Sequence, residues 1–176
     1  MRRLISLCMF VLVASAACGD DSGDSGDAAG LTANAAIAPK SGNTTLAGDA
    51  KFSGAAGAIK LTLTLTGAPP GPHGAHIHET GDCSAPDAMS AGGHWNPTTQ
   101  MHAAPGATAH LGDLGNITVA GDGTAALTYS YAEWTIGGGA PTDLIGKAIV
   151  IHAMPDDLMT QPTGNAGGRI GCGVIE

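Results

Sequence analysis

One short stretch of this chain constrains its fold more than any other. Residues 59–66 read Ile-Lys-Leu-Thr-Leu-Thr-Leu-Thr, with every odd position apolar and every even position polar. Because successive side chains of a β-strand point to opposite faces, this pattern predicts a strand with one buried face. No segment of the chain shows a convincing helical period, so the fold must be built mainly from such strands.

Weaker strand patterns recur along the rest of the chain. They are separated by clusters of Gly, Pro and Asp and cover residues 33–39, 46–53, 116–120, 125–131, 148–152 and 169–175. Short strands without crossover helices favour an antiparallel sandwich or barrel. Residues 80–113 show little alternation of apolar and polar residues, which predicts a long loop. Loops this long inside a compact domain are usually functional.

The first thirty residues are predicted to lie outside the folded domain. Arg2 and Arg3 precede an apolar run over residues 4–13, and small residues follow, which indicates a signal peptide over residues 1–17. Residues 18–30 contain mainly Gly, Ser, Asp and Ala and predict a flexible tether. We therefore expect one folded domain over residues 31–176.

Cys18 stands where this segment resembles a bacterial lipoprotein signal. The resemblance implies lipidation of Cys18 and attachment to a membrane, in the cell envelope or periplasm, through acyl chains. Such signals prefer Leu three positions before the cysteine, where this chain has Ser15. Simple secretion after cleavage nearby therefore stays an alternative.

The four cysteines divide between these segments. Cys8 would be lost with the signal peptide and Cys18 would carry lipid, so Cys83 and Cys172 remain for the domain. In an oxidising compartment the default expectation for such a pair is a disulfide. The net charge of −8 also leaves no basic surface for nucleic acid, so a DNA or RNA partner is not expected.

All seven histidines lie between residues 73 and 152, and none precedes His73. His76 and His78 lie two apart on a predicted strand, so both imidazoles project to the same side. His94, His102 and His110 follow in the long loop, and Asp113 comes three positions after the last. Imidazoles suit copper and zinc, and imidazoles with one carboxylate suit tetrahedral zinc. Together with His152, these residues offer more ligands than one ion needs. Their number indicates two ions that share a ligand.

Several motifs together resemble the copper/zinc superoxide dismutase family. In family order they are Pro-His-Gly-Ala-His-Ile-His-Glu (72–79), Gly-Asp-Cys (81–83), Ser-Ala-Gly-Gly-His-Trp-Asn-Pro (90–97), His-Leu-Gly-Asp-Leu-Gly-Asn (110–116), Gly-Asn-Ala-Gly-Gly-Arg (164–169) and Gly-Cys-Gly-Val-Ile (171–175). The resemblance implies an antiparallel Greek-key β-barrel or sandwich of about eight strands with long metal-binding loops.

The resemblance also implies a role for each site residue. The copper ligands would be His76, His78, His94 and His152; the zinc ligands would be His94, His102, His110 and Asp113; and His94 would bridge the two ions. Arg169 would lie beside copper, Asp156 would link ligands of both metals, Cys83 would pair with Cys172, and His73 would be structural.

The implied activity is conversion of superoxide to oxygen and hydrogen peroxide by cycling Cu(II)/Cu(I), with a structural zinc. Assembly differs between lineages of this family, so a homodimer is an expectation that the sequence leaves open. Residues 158–168 contain no charged side chain, which argues against charge-guided capture of superoxide. The alternative function is a periplasmic copper- and zinc-binding or buffering module without turnover.

Overall fold

The computed structural model describes residues 30–43, 45–106 and 108–176. In these ranges the chain forms a short 3₁₀ turn (Met89–Ala91) and eight strands, which are β1 (Leu31–Pro39), β2 (Ala47–Ala55), β3 (Ala58–Thr66), β4 (Gly71–His78), β5 (Asp113–Val119), β6 (Ala125–Tyr131), β7 (Ala148–His152) and β8 (Arg169–Val174). Within this described part, no helix has the length and apolarity to cross a membrane. The predicted signal peptide and Cys18, with all of the tether except Gly30, lie outside the described residues.

The strands form one antiparallel sheet that closes almost completely into a barrel. Their order is β5-β4-β7-β8-β1-β2-β3-β6. The two strands at the ends of this order, β5 and β6, are consecutive in sequence and contact each other. The connections from β3 to β4 and from β6 to β7 cross between the two halves of the barrel, as in a Greek key. The predicted all-β fold of about eight strands is therefore confirmed.

Strand β3 shows the alternation that its sequence predicts. Its four buried side chains are Ile59, Leu61, Leu63 and Leu65, and the residues between them are exposed. These side chains join a barrel core that also contains Phe52, Trp134 and Ile151. Burial of apolar surface in this core is the main source of stability for the fold.

Strand β5 begins earlier than the alternation indicates, at Asp113 rather than at residue 116. Residues 113–115 are all buried, so their sequence shows no alternation. They are placed by β4 instead, because a register shift between Gly74 and His76 lets Asp113 pair with His76. This local irregularity brings a carboxylate to the edge of the histidine cluster.

Strands β4 and β7 are buried on both faces, since the last six residues of β4 and all five of β7 are covered. The inward side chains, such as Ile77 and Ile149, enter the barrel core. The long loops after β4 and β7 cover the outward face. The histidines of these strands therefore lie between the barrel and the loops, shielded from solvent.

Candidate metal centre

Three histidines lie on the outward face of two paired strands. His76 and His78 are on β4, and His152 is the last residue of β7. β4 and β7 are antiparallel neighbours, with His78 opposite Ala148 and Ala75 opposite Ile151. Because Ile151 points into the core, the next residue, His152, points outward to the same side as the β4 histidines.

The long loop returns to β4 and adds His94 to this face. Trp95 donates its backbone N–H to the Ile77 carbonyl at 2.9 Å, and Ile77 donates to the Gly112 carbonyl at 2.8 Å. Gly112 is required for this close approach, because a Cβ there would lie 2.2 Å from the Ile77 oxygen. The loop is therefore held to the strand next to His94, and again after His102 and His110.

The first cluster consists of four buried histidines, His76, His78, His94 and His152, whose ligand atoms all lie within 4.8 Å of one another. One ring nitrogen of each strand histidine is engaged in a hydrogen bond. His78 Nδ1 donates to the Gly92 carbonyl at 2.9 Å, and His152 Nδ1 donates to the Gly167 carbonyl at 3.2 Å. These bonds leave both Nε2 atoms unprotonated and 3.4 Å apart.

The second cluster consists of His94, His102, His110 and Asp113. The Nδ1 atoms of its three imidazoles lie 3.0, 3.1 and 3.3 Å from Asp113 Oδ1. His102 and His110 make no hydrogen bond through these nitrogens, despite the short distances. Tetrahedral zinc with ligand distances of about 2.0–2.1 Å places its ligands about 3.3 Å apart. Three nitrogens and one carboxylate oxygen at these separations fit that ion.

His94 belongs to both clusters. Its Nδ1 atom lies on the side of Asp113, while its Nε2 atom is buried without a hydrogen-bond partner. Its ring centroid is only 3.9 Å from that of His76, whose Nδ1 is also buried without a partner. Buried polar nitrogens are rarely left unsatisfied, so these atoms are suited to metal coordination.

Asp156 connects the two clusters through its two carboxylate oxygens. Oδ2 accepts a hydrogen bond from His76 Nε2 at 2.8 Å, and Oδ1 accepts one from His102 Nε2 at 2.9 Å. The backbone of Asp156 is held in turn by the side chain of Asn116, which accepts from its N–H and donates to its carbonyl. These bonds orient one ring from each cluster and direct the opposite nitrogens inward.

Burial keeps the strand histidines neutral. It lowers the pKa of His76 to about 4, of His78 to about 2 and of His152 to about 3, aided in each case by neighbouring imidazoles or Arg169. Neutral imidazoles offer lone pairs to a metal at physiological pH. Burial would raise the pKa of Asp156, but hydrogen bonds from His76, Leu158 and His102 lower it to about 2.

The pKa of His102 moves in the opposite direction. Burial lowers it, but this effect is outweighed by the hydrogen bond that His102 donates to Asp156 and by the negative charges of Asp113 and Asp156, so the pKa is raised. The second cluster, called the zinc-type cluster below, contains the negatively charged carboxylate of Asp113. The first, called the four-histidine cluster, contains no charged carboxylate. Neutral imidazoles alone fit copper, and the mixed set fits zinc.

A cavity of about 230 Å³ gives access to the first cluster. Its walls include His78, His152 and Arg169. The Arg169 guanidinium donates to two backbone carbonyls of the long loop, Ala88 and Gly92, both at 2.7 Å. These bonds hold a permanent positive charge at the wall of the cavity, where it can attract a small anion.

A disulfide fixes the start of the long loop to the barrel. Cys83 and Cys172, which are 89 positions apart in the sequence, are bonded, and this confirms the predicted pair. Cys172 packs with Ala88, Ala91 and Val150 in a small apolar cluster outside the barrel core. The carbonyls that hold Arg169 lie in the same segment, so the disulfide supports them.

Two side chains near the clusters were assigned no role from the sequence. Asn116 holds the backbone of Asp156, and the Gln161 amide both accepts from the His102 N–H at 2.8 Å and donates to the His102 carbonyl at 2.7 Å. Both act on residues at least forty positions away, so only the folded chain reveals them. His73 lies outside both clusters, with each ring nitrogen 2.8 Å from a backbone carbonyl oxygen.

Comparisons with known proteins agree with this geometry. Residues 46–175 match the family model described as copper/zinc superoxide dismutase (SODC). The protein named superoxide dismutase [Cu-Zn] 2 from Brassica juncea is 44% identical over 126 residues, which cover 68% of this chain and 81% of that protein.

Solved structures show the same architecture. The crystal structure of the clock protein EA4 has a TM-score of 0.72 and 34% identity and covers 84% of this chain and 94% of that chain. A SOD-like protein from Bacillus subtilis has a TM-score of 0.70 and 29% identity, with coverage of 80% and 96%.

Proposed function

The chain belongs to the copper/zinc superoxide dismutase family, and from that premise we propose that it converts superoxide to oxygen and hydrogen peroxide at the paired histidine clusters. The observation that carries this proposal is the sharing of His94 between the four-histidine cluster and the cluster with Asp113. Copper is the redox ion of this family, and zinc is its companion.

We assign copper to His76, His78, His94 and His152, and zinc to His94, His102, His110 and Asp113. When bound, copper supplies the one-electron redox couple for dismutation and zinc supplies a redox-inert positive charge. The net reaction consumes two superoxide anions and two protons and yields one oxygen molecule and one hydrogen peroxide molecule. The described residues must therefore bind an anion and deliver protons.

Arg169 is the proposed anion-binding group. It shares the cavity wall with the copper ligands His78 and His152. Its guanidinium is only partly covered and carries a charge at every physiological pH. Two hydrogen bonds to fixed carbonyls leave its remaining N–H groups free to contact a small anion in the cavity.

His94 is the proposed proton carrier. Its Nδ1 faces the zinc-type cluster, so the other ring nitrogen, Nε2, is the atom that can bind and release a proton on the side of the four-histidine cluster. Asp156 acts through its neighbours, because it orients His76 and His102 rather than touching the substrate.

Dismutation activity and metal content, measured on the same preparation, test this proposal. Full-length protein is loaded with copper and zinc, its metals are quantified by mass spectrometry, and superoxide decay is followed by stopped flow. Fast, cyanide-sensitive turnover with near-equal copper and zinc supports the enzyme. Full loading without turnover would instead identify a metal-binding or buffering module.

We also propose that the protein is exported and anchored to the cell envelope through a lipid on Cys18. The disulfide between Cys83 and Cys172 supports an oxidising compartment. Incorporation of labelled fatty acid into the wild-type chain, and its loss in Cys18→Ala, tests the anchor. A Cys18→Ala protein that stays in the membrane fraction would contradict it.

A further inference from the structure

The four methionines of the described domain lie at its surface. Met89, Met101, Met154 and Met159 are 61%, 64%, 51% and 80% exposed. Methionine is usually a core residue, because its flexible apolar side chain fills gaps between other apolar groups. None of these four methionines fills a gap in the core of this domain.

Met89 occupies a particular place among them. It lines the same cavity as His78, His152 and Arg169. Met154 lies beside this cavity, since a Cβ on the wall residue Gly167 would come within 3.1 Å of its sulfur. A residue that carries a soft thioether therefore lines the cavity that leads to the four-histidine cluster.

The backbone of Met89 is firmly held while its side chain is free. Its N–H donates to Asp87 Oδ1 at 3.0 Å, and its carbonyl accepts from the Gly92 N–H at 3.1 Å. The preceding residue, Ala88, is fully buried and its carbonyl accepts from Arg169. The loop thus fixes the backbone of Met89 and leaves most of the residue exposed.

The charges of the cavity do not attract a cation. Arg169 and Asp87 are the charged residues in its wall, and they carry opposite signs. A cation that enters this cavity is therefore not drawn in by net negative charge, and it must be held by a neutral ligand. Thioethers bind Cu(I) without carrying charge, and they discriminate against harder ions such as Cu(II) and Zn(II).

We propose that Met89 is a Cu(I)-binding residue at the mouth of the cavity, which receives reduced copper and passes it to His78 and His152. This inference rests on the proposed copper site. The three residues line one cavity, and the exposed fraction falls from 61% at Met89 to 0% at His78 and 4% at His152, so Met89 is the outermost of them. Copper stays Cu(I): its bond to the Met89 sulfur breaks as bonds to the two Nε2 atoms form, and no electron or proton is transferred.

Copper uptake by the full-length, zinc-loaded, copper-free protein tests this proposal. Cu(I) is supplied anaerobically as its bicinchoninate complex, and the loss of that complex is followed by absorbance. Cu(II) is supplied in a separate series as its nitrilotriacetate complex. The variants are Met89→Leu, which keeps the apolar volume and removes the sulfur, and Met101→Leu, which alters an equally exposed methionine that does not line the cavity.

We expect Met89→Leu to take up Cu(I) roughly five- to tenfold more slowly than wild type, with an unchanged rate for Cu(II) and an unchanged final copper content. Met101→Leu should match wild type in both series. Equal Cu(I) rates for Met89→Leu and wild type would overturn the proposal, and so would equal slowing of Cu(I) and Cu(II). Failure of the copper site itself is distinguishable, because wild type would then not reach about one copper per chain.

Discussion

His78 and Arg169 donate hydrogen bonds to the same carbonyl oxygen, that of Gly92, at 2.9 and 2.7 Å. Gly92 has a φ of +74°, and a Cβ there would lie 2.6 Å from the Glu79 carboxylate. A proposed copper ligand and the proposed anion-binding group are therefore oriented by one backbone atom. Movement of this segment would disturb metal geometry and substrate binding together.

Removal of the Arg169 charge should impair catalysis without removing metal. We expect Arg169→Gln to lower kcat/KM for superoxide by about tenfold or more, because the anion loses its charged partner in the cavity. The measurement is stopped-flow superoxide decay with metal content determined on the same sample. Lys51→Gln removes an equal charge from an exposed position on β2 and should have little effect. Equal losses in both variants would point to general electrostatics instead.

Substitution of Gly164 should disrupt the link between the two clusters. Gly164 has a φ of +63°, and a Cβ there would lie 1.8 Å from Asp156 Oδ1 and 2.5 Å from His102 Nε2. We expect Gly164→Ala to destabilise the protein by about 2 kcal/mol or more and to weaken zinc binding. Gly168→Ala is the matched control, since a Cβ there contacts nothing within 4 Å. Thermal unfolding and zinc release to a chelator measure both effects, and similar behaviour of the two variants would count against the link.

The two clusters should lose their metals separately. We expect His152→Ala to lose most of the copper and activity while zinc is retained, because His152 belongs to the four-histidine cluster alone. Asp113→Ala should release zinc first, since its carboxylate lies 3.0–3.3 Å from three Nδ1 atoms. Mass spectrometry of metal content measures both. Equal loss of both metals in each variant would contradict the assignment.

Loss of the disulfide should destabilise the domain. The bond between Cys83 and Cys172 spans 89 residues of sequence. In the chain-entropy account, a loop of that size is worth about 4–5 kcal/mol. We expect the Cys83→Ser/Cys172→Ser double variant to lose stability of this order, measured by denaturant unfolding at equal metal content. An unchanged unfolding midpoint would show that the bond does not contribute.

The metal-free protein should lose stability as the pH falls below about 6.5. The folded-state pKa values of His76, His78 and His152 are lowered to about 4, 2 and 3, so the unfolded chain binds more protons between these values and 6.5. Each of the three should cost up to about 1.4 kcal/mol per pH unit in this window. His102 acts in the opposite direction, because its pKa is raised.

Denaturant unfolding of the metal-free protein at pH 7 and at pH 5 measures this dependence. The metal-loaded protein should resist the change to lower pH, since protons must then compete with the bound ions for the same nitrogens. Equal stability of the metal-free protein at the two pH values would contradict the burial of neutral histidines.

The strands were predictable from sequence where one face is buried and the other is exposed. β3 alternates along its whole length, and the predicted bounds of β6 and β7 match the structure. β4 is longer than the short stretch around His76 and His78 that the sequence indicated. Its outward face is covered by loops, so apolar and polar residues do not alternate along it, and its ends cannot be predicted from such a pattern.

The sequence by itself determined the all-β class, the histidines available to metals, and the cysteine pair, because side-chain period and residue chemistry are local properties. The family resemblance implied how these residues divide into two ligand sets, but no local property of the sequence determines that division, which depends on the tertiary structure. The sharing of His94, the link through Asp156 and the clamp of Gln161 on His102 join positions far apart in the chain. Such contacts depend on strand pairing and loop packing, which bring distant residues within hydrogen-bond distance and leave no periodic trace in the sequence.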